Sequence, residues 1–183
     1  VDVEMEAQKQ MSKRVRNAAH ENGTIFIRSY HDFEGTDSLE ALKAIVEKCI
    51  YHGADMVKIV TTARSQEDVQ RVMSLYEWFR NEVKDLPEGS LIAFCMGEEG
   101  RRSRLDCLKY GAPYTYAALS AAESAAPGQW PAAELRKAVY GGFGFISSEA
   151  LQMPVSKSFA QRAIIAAALA DGTSHLKGYT PCG

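Results

Sequence analysis

The chain has 183 residues, 46% of them hydrophobic and 24% charged, the balance of a globular protein with one ordinary core. A formal net charge of -2 and a pI near 6.1 provide no basic field for nucleic acid or an anionic membrane surface, so the composition points to a small molecule as the partner. No apolar stretch approaches the roughly 20 residues of a membrane span, and the opening Val-Asp-Val-Glu-Met-Glu lacks the basic and apolar regions of a signal peptide.

The first residue is Val1 rather than Met, and the expectation is a piece of a longer polypeptide. Residues 1–5 predict a strand cut at its start. A short unbroken apolar run at 24–30 predicts a second strand, buried on both faces. Leu39, Leu42, Val46, Cys49 and Ile50 then share one helical face behind the capping candidates Thr36, Asp37 and Ser38. Residues 55–60 predict a third strand, and Val69, Val72, Met73, Tyr76 and Val83 a helix opened by Ser65 with Asp68 three places on. Further strands are predicted at 90–95 and 113–119. Alternating β-α units mean a parallel sheet. An eight-unit barrel needs about 250 residues, roughly 30 per unit, so the five strands expected before residue 141 are either the second half of a β/α barrel or a small open α/β sheet. Gly141-Gly142-Phe143-Gly144 reads as a break. Beyond it the pattern predicts a strand, a Ser-capped Ala-rich helix over 158–170 and another short strand. Cys49, Cys95, Cys107 and Cys182 form no C-x-x-C pair, and Cys49 and Cys95 sit in apolar runs as small hydrophobes, which fits a reducing cytoplasm.

Four strand ends carry candidate chemistry. "SYHDFEGT" places His31, Asp32 and Glu34 where the second strand gives way to a loop. These charges either cap the following helix or present an imidazole, whose ordinary pKa near 6.5 suits proton transfer. Lys58, in "ADMVKIV", shares its parity with Met56 and Val60, and both parities are apolar. It is either an edge-guarding or snorkelling lysine or, inside a barrel, a desolvated amine able to form an imine with a ketone. In "MGEEGRRSR", Arg101 and Arg102 read as a solvated turn, while Arg104 could offer its fork to a carboxylate if it turns inward. In "AAPGQ", Gln129 is either a surface residue or a hydrogen-bonding lid.

Together, "SYHDFEGT", "ADMVKIVTTARSQEDV", "IAFCMGEEGRRSRL" and "AAPGQ", in this order, resemble the type I 3-dehydroquinate dehydratases of the shikimate pathway across residues 1–140. The resemblance implies a partial (β/α)8 TIM barrel over 1–141, about its last five β/α units. It implies dehydration of 3-dehydroquinate to 3-dehydroshikimate through a lysine imine, with no metal or organic cofactor. Lys58 would form the imine and His31 would move the protons. Arg104 would hold the substrate carboxylate, Gln129 would close over it, and Met96 and Tyr116 would pack against its ring. Asp2 and Glu4 match acidic positions that support His31. The family's serine four places before the lid glutamine is Ala125 here, with Ser124 one position off. The family's first three strands, with the glutamate that orients the histidine, have no counterpart in these residues, and Lys58 is therefore expected to stay wet in this chain by itself.

Residues 142–183 are expected to be a linker and truncated α/β start of a second domain. "MPVSKSFAQRAIIAAALADGTS" resembles the opening of enolpyruvylshikimate-phosphate synthase, which implies anion-binding roles for Lys157, Ser158 and Arg162. Val155 stands where that family usually has glycine. A class I aldolase-type imine enzyme and a ligand-binding regulatory domain derived from the dehydratase are the rival readings. Retention of both His31 and Lys58 argues against the second, and a homodimer is left open.

Overall fold

The computed structural model describes residues 1–124, 126–140, 151–152 and 166–177. It divides the chain into two units, Val1–Arg136 and Lys137–Gly183. In the first, β1 (Asp2–Glu4), β2 (Ile27–Asp32), β3 (Met56–Thr62) and β4 (Leu91–Met96) form one sheet in the order β1-β2-β3-β4, every pair parallel. The helices between them are α1 (Lys9–Glu21), α2 (Leu39–Tyr51) and α3 (Gln66–Glu82), followed by α4 (Gly97–Gly100), α5 (Ser103–Tyr110) and α6 (Ala132–Tyr140).

The helices form where local chemistry starts them and burial keeps them. The Ser38 hydroxyl accepts the Ala41 N–H at 3.2 Å to open α2. Ser65 and Asp68 close a reciprocal capping box on α3. Leu42, Val46 and Cys49 on α2 and Val72, Leu75, Tyr76 and Phe79 on α3 are buried against Val57, Ile59, Leu91 and Ala93 of the sheet. Each such aliphatic or aromatic side chain contributes about 1.5–3 kcal/mol, well above the few tenths that separate helix propensities, so packing decides where these helices lie. By contrast, α1 buries Ser12 and Ala19 alone. Its apolar stripe is too thin to be read from the sequence, and neither it nor α5 and α6 is among the predicted helices.

Two predicted strands are corrected. The second begins at Ile27 rather than residue 24 and runs through His31 and Asp32, so the histidine lies within the strand. Residues 113–119 form no strand beyond an isolated bridge from Ala118 to Pro131. The cause lies in β4. Ser90 and Met96 carbonyls accept Val57 and Ala63 N–H groups, so alternate residues of β4 face β3 while Ala93 and Cys95 face the other edge. That edge is already occupied: the Tyr76 hydroxyl accepts the Ala93 N–H at 2.6 Å and donates to its carbonyl at 2.9 Å. The Ser103 hydroxyl accepts the Cys95 N–H at 2.8 Å. Ala118 instead gives its N–H to Trp130 O at 2.9 Å and its carbonyl to Ala132 N at 2.7 Å.

In the second unit β5 (Leu151–Gln152) pairs in parallel with β6 (Leu176–Lys177), and residues 166–169 are helical. The predicted break at Gly141–Gly144 and the residues Lys157, Ser158 and Arg162 lie outside the described residues, as does Ala125.

Candidate active site

Strand register sorts the side chains. Asp2 is level with Ile27 and Met56, Glu4 with Ser29, Ser29 with Lys58 and Ile92, and His31 with Val60 and Phe94. Side chains alternate along a strand, so Asp2, Glu4, Ser29, His31, Lys58, Phe94 and Met96 share the face opposite α2 and α3. A histidine and a lysine on neighbouring strands, one pleat apart, thus stand over the same patch of sheet.

Each has a carboxylate from β1. Glu4 Oε1 lies 2.6 Å from His31 Nδ1, and Asp2 Oδ2 accepts from Lys58 Nζ at 3.0 Å. The two acids expected to support His31 are therefore divided between the histidine and the lysine. The contact engages Nδ1, so Nε2 is the ring nitrogen that Glu4 does not hold. Lys58 is 9% exposed, which overturns the expectation of a wet amine. Its Nζ stands 4.7 Å from the centroid of the Tyr116 ring. Burial in turn pushes the Tyr116 phenol above its ordinary range. To reach Asp2, Lys58 must pass over β2, and the residue level with it there is Ser29, fully buried with its hydroxyl unpartnered. A small residue at 29 leaves room for the lysine to cross.

Asp32 takes the structural role in its cluster. Its carboxylate accepts the Glu34 and Gly35 N–H groups and shapes the loop after β2.

Arg104 turns inward as the site reading requires. It is 2% exposed, and its guanidinium carbon lies 4.7 Å from the centroid of Phe94, itself 6.1 Å from Tyr116. Nη2 donates to Pro127 O at 3.4 Å, and Nε is buried without a partner. Among the described residues no carboxylate pairs with it, and desolvation lowers its pKa from the ordinary value. A buried guanidinium without a counter-charge is costly, and an arriving carboxylate would relieve it. Met96 is 3% exposed at the end of β4, on this same face. Gln129 is half-buried and gives its backbone N–H to Ala126 O at 3.2 Å. The Ser124 hydroxyl is engaged within the loop, donating to Ala126 O at 2.9 Å.

Sequence reasoning missed Ser29, Phe94 and Trp130, and the ring contact that Arg101 makes. Arg102 is solvated and paired with Asp106 as expected. Arg101 is 38% exposed along its side chain and also lies 4.6 Å from the Trp130 ring centroid, with its Nε buried. An aromatic directly after Gln129 was the available signal.

A parallel β/α sheet with a buried lysine within one strand, a carboxylate-held histidine near the end of the next and an arginine turned inward from the helix beyond β4 is the layout of part of a β/α barrel. Residues 1–142 match the family model described as Type I 3-dehydroquinase, and the chain belongs to that family. The 3-dehydroquinate dehydratase of Thermococcus gammatolerans is 42% identical over 135 residues, covering 74% of this chain and 58% of that protein. The solved 3-dehydroquinate dehydratase of Geobacillus kaustophilus is 31% identical with a TM-score of 0.67, covering 76% of this chain and 52% of that one. The type I enzyme of Clostridium difficile, solved with covalently modified comenic acid, is 27% identical, also at 0.67, covering 76% and 53%. The chain thus spans a little over half the length of the relatives it matches.

Proposed function

We propose that this chain carries the catalytic strand ends of a 3-dehydroquinate dehydratase, a lyase that converts 3-dehydroquinate to 3-dehydroshikimate through an imine on Lys58. The observation that carries the reading is one face of sheet with a buried amine, an imidazole fixed at Nδ1 and an unpaired inward guanidinium. The Lys58 amine attacks the substrate ketone, and loss of water leaves a protonated imine. His31 Nε2 takes the proton from the adjacent carbon, and the electron pair flows toward the cationic nitrogen. His31 returns a proton to the departing hydroxyl, and hydrolysis of the imine restores the amine, for a net loss of one water. Glu4 orients the imidazole and Arg104 binds the substrate carboxylate. Gln129 closes the site, with Met96 and Tyr116 against the substrate ring. The covalently modified ligand of the Clostridium relative accords with a covalent step here.

The test is borohydride reduction with 3-dehydroquinate, using the chain joined to the first-half strands of a relative and the chain alone. Mass spectrometry should place the reduced adduct on Lys58, and His31→Ala should cut turnover steeply while leaving some adduct. A label on another lysine, or none in the joined form, would refute the imine mechanism. Carbon–carbon cleavage in place of dehydration would favour an aldolase-type enzyme.

We also propose that the boundary near residue 141 separates the barrel half from the start of an enolpyruvylshikimate-phosphate synthase-like segment. The motif from Met153 to Ser174 supports this. The cysteine usage and pathway fit a cytoplasmic location.

A further inference from the structure

The loop bearing Gln129 is fastened on both sides to the turn that presents Arg104. On one side Pro127 O accepts the Gly97 N–H at 3.3 Å and the Arg104 guanidinium at 3.4 Å. Gly128 adopts φ 74°, and a Cβ there would collide with the Gly97 carbonyl. On the other side the Trp130 indole N–H donates to Arg101 O at 2.8 Å, and the Arg101 guanidinium lies over the Trp130 ring at 4.6 Å. Arg101 Nη2 also reaches Glu134 Oε2, 3.6 Å away in the first turn of α6. Trp130 therefore holds its neighbour by a hydrogen bond to backbone and by a ring contact to the same residue.

We infer that Arg101 and Trp130 are positioning residues. They form a clasp that holds Gln129 beside Arg104, so that the two groups receiving the substrate move as one unit. The inference rests on the dehydratase reading, in which Gln129 and Arg104 touch substrate. The clasp has a cause in composition: the turn from Gly97 to Arg101 starts at φ 83° on a glycine and packs against Gly128, so two glycines bring the segments within reach. The pairs on either side of Gln129 then remove freedom that the loop between Glu123 and Ala132 would otherwise lose on binding. Arg101 never faces the substrate in this scheme. It acts by keeping the loop seated before substrate arrives.

The chain has two tryptophans, Trp78 and Trp130, so Trp78→Phe isolates the emission of Trp130. In that background Arg101→Ala should increase acrylamide quenching of Trp130 without ligand. In the chain joined to the first-half strands it should also raise KM for 3-dehydroquinate by about tenfold with kcat changed less than about twofold, the size expected for losing a cation–π contact together with the ion pair to Glu134. Trp130→Phe, which keeps the ring and loses the N–H, should give an intermediate KM. Gly128→Ala leaves every clasp side chain in place but unseats the loop, and should raise KM to a similar extent even if Arg101→Ala fails to fold. An unchanged KM in a folded variant whose Trp130 has become accessible would overturn the clasp and leave the dehydratase reading intact. A parent protein joined to the first-half strands that neither binds nor turns over dehydroquinate would refute the dehydratase reading, and with it the clasp's role, before any variant is compared.

Discussion

Tyr76→Phe deletes one oxygen from α3 and leaves both main-chain groups of Ala93 unpartnered on the edge of β4. The ring of Tyr76 is 4% exposed and Ala93 is fully buried, so water has no ready route to replace the hydroxyl. A buried N–H and a buried C=O are stranded at about 1–3 kcal/mol each, for a total of about 4 kcal/mol. Against the 5–15 kcal/mol that hold an ordinary domain together, this is a large fraction. Urea unfolding followed by far-UV circular dichroism should show the midpoint falling by about 1–2 M with an unchanged slope. Tyr110→Phe is the control, since Tyr110 packs its ring against Tyr76 at 5.9 Å but is 46% exposed. A midpoint shift below about 0.2 M for Tyr76→Phe would refute the claim that this hydroxyl satisfies the sheet edge.

Burial raises the thiols of Cys49, Cys95 and Cys107 from 9.0 to about 11. Because the folded pKa exceeds the unfolded one, their stabilisation is complete below pH 9 and is lost as pH rises through 11, by at most about 2–3 kcal/mol per thiol. Unfolding midpoints measured from pH 8 to 11 should fall in that window and fall less in Cys49→Ala; a flat profile would contradict it. Ser29→Leu should fill the space where Lys58 crosses β2, and borohydride trapping on Lys58 should drop at least tenfold in a variant that still shows parallel-sheet dichroism. Undiminished trapping would mean that Lys58 does not need that route. Arg104→Ala should weaken substrate binding by one to two orders of magnitude, as a charge-assisted bidentate contact is worth roughly 1.5–3 kcal/mol. A kcat defect at unchanged KM would assign Arg104 to the chemical step instead.

The strand containing Lys58, the capping box of Ser65 and Asp68, and the order of the β-α units were legible in the sequence. Each depends on residues within one turn or one pleat of each other, and local spacing carries that information. The family motifs likewise pointed to His31, Lys58 and Arg104, which the fold places toward one face of its sheet. What only the tertiary structure decided involves partners distant along the chain. Whether residues 113–119 join the sheet depends on Tyr76 and Ser103 reaching the edge of β4 first, a competition for three backbone groups that no periodicity records. The division of Asp2 to Lys58 and Glu4 to His31 follows from the β1-β2-β3 register across 56 and 27 residues of chain. Lys58 is 9% exposed with the Tyr116 ring 4.7 Å away, and Arg101, its side chain 38% exposed, stacks on Trp130. Burial and pairing are properties of neighbours in space, so a lysine or arginine reads the same in sequence whether the fold leaves it wet or dry.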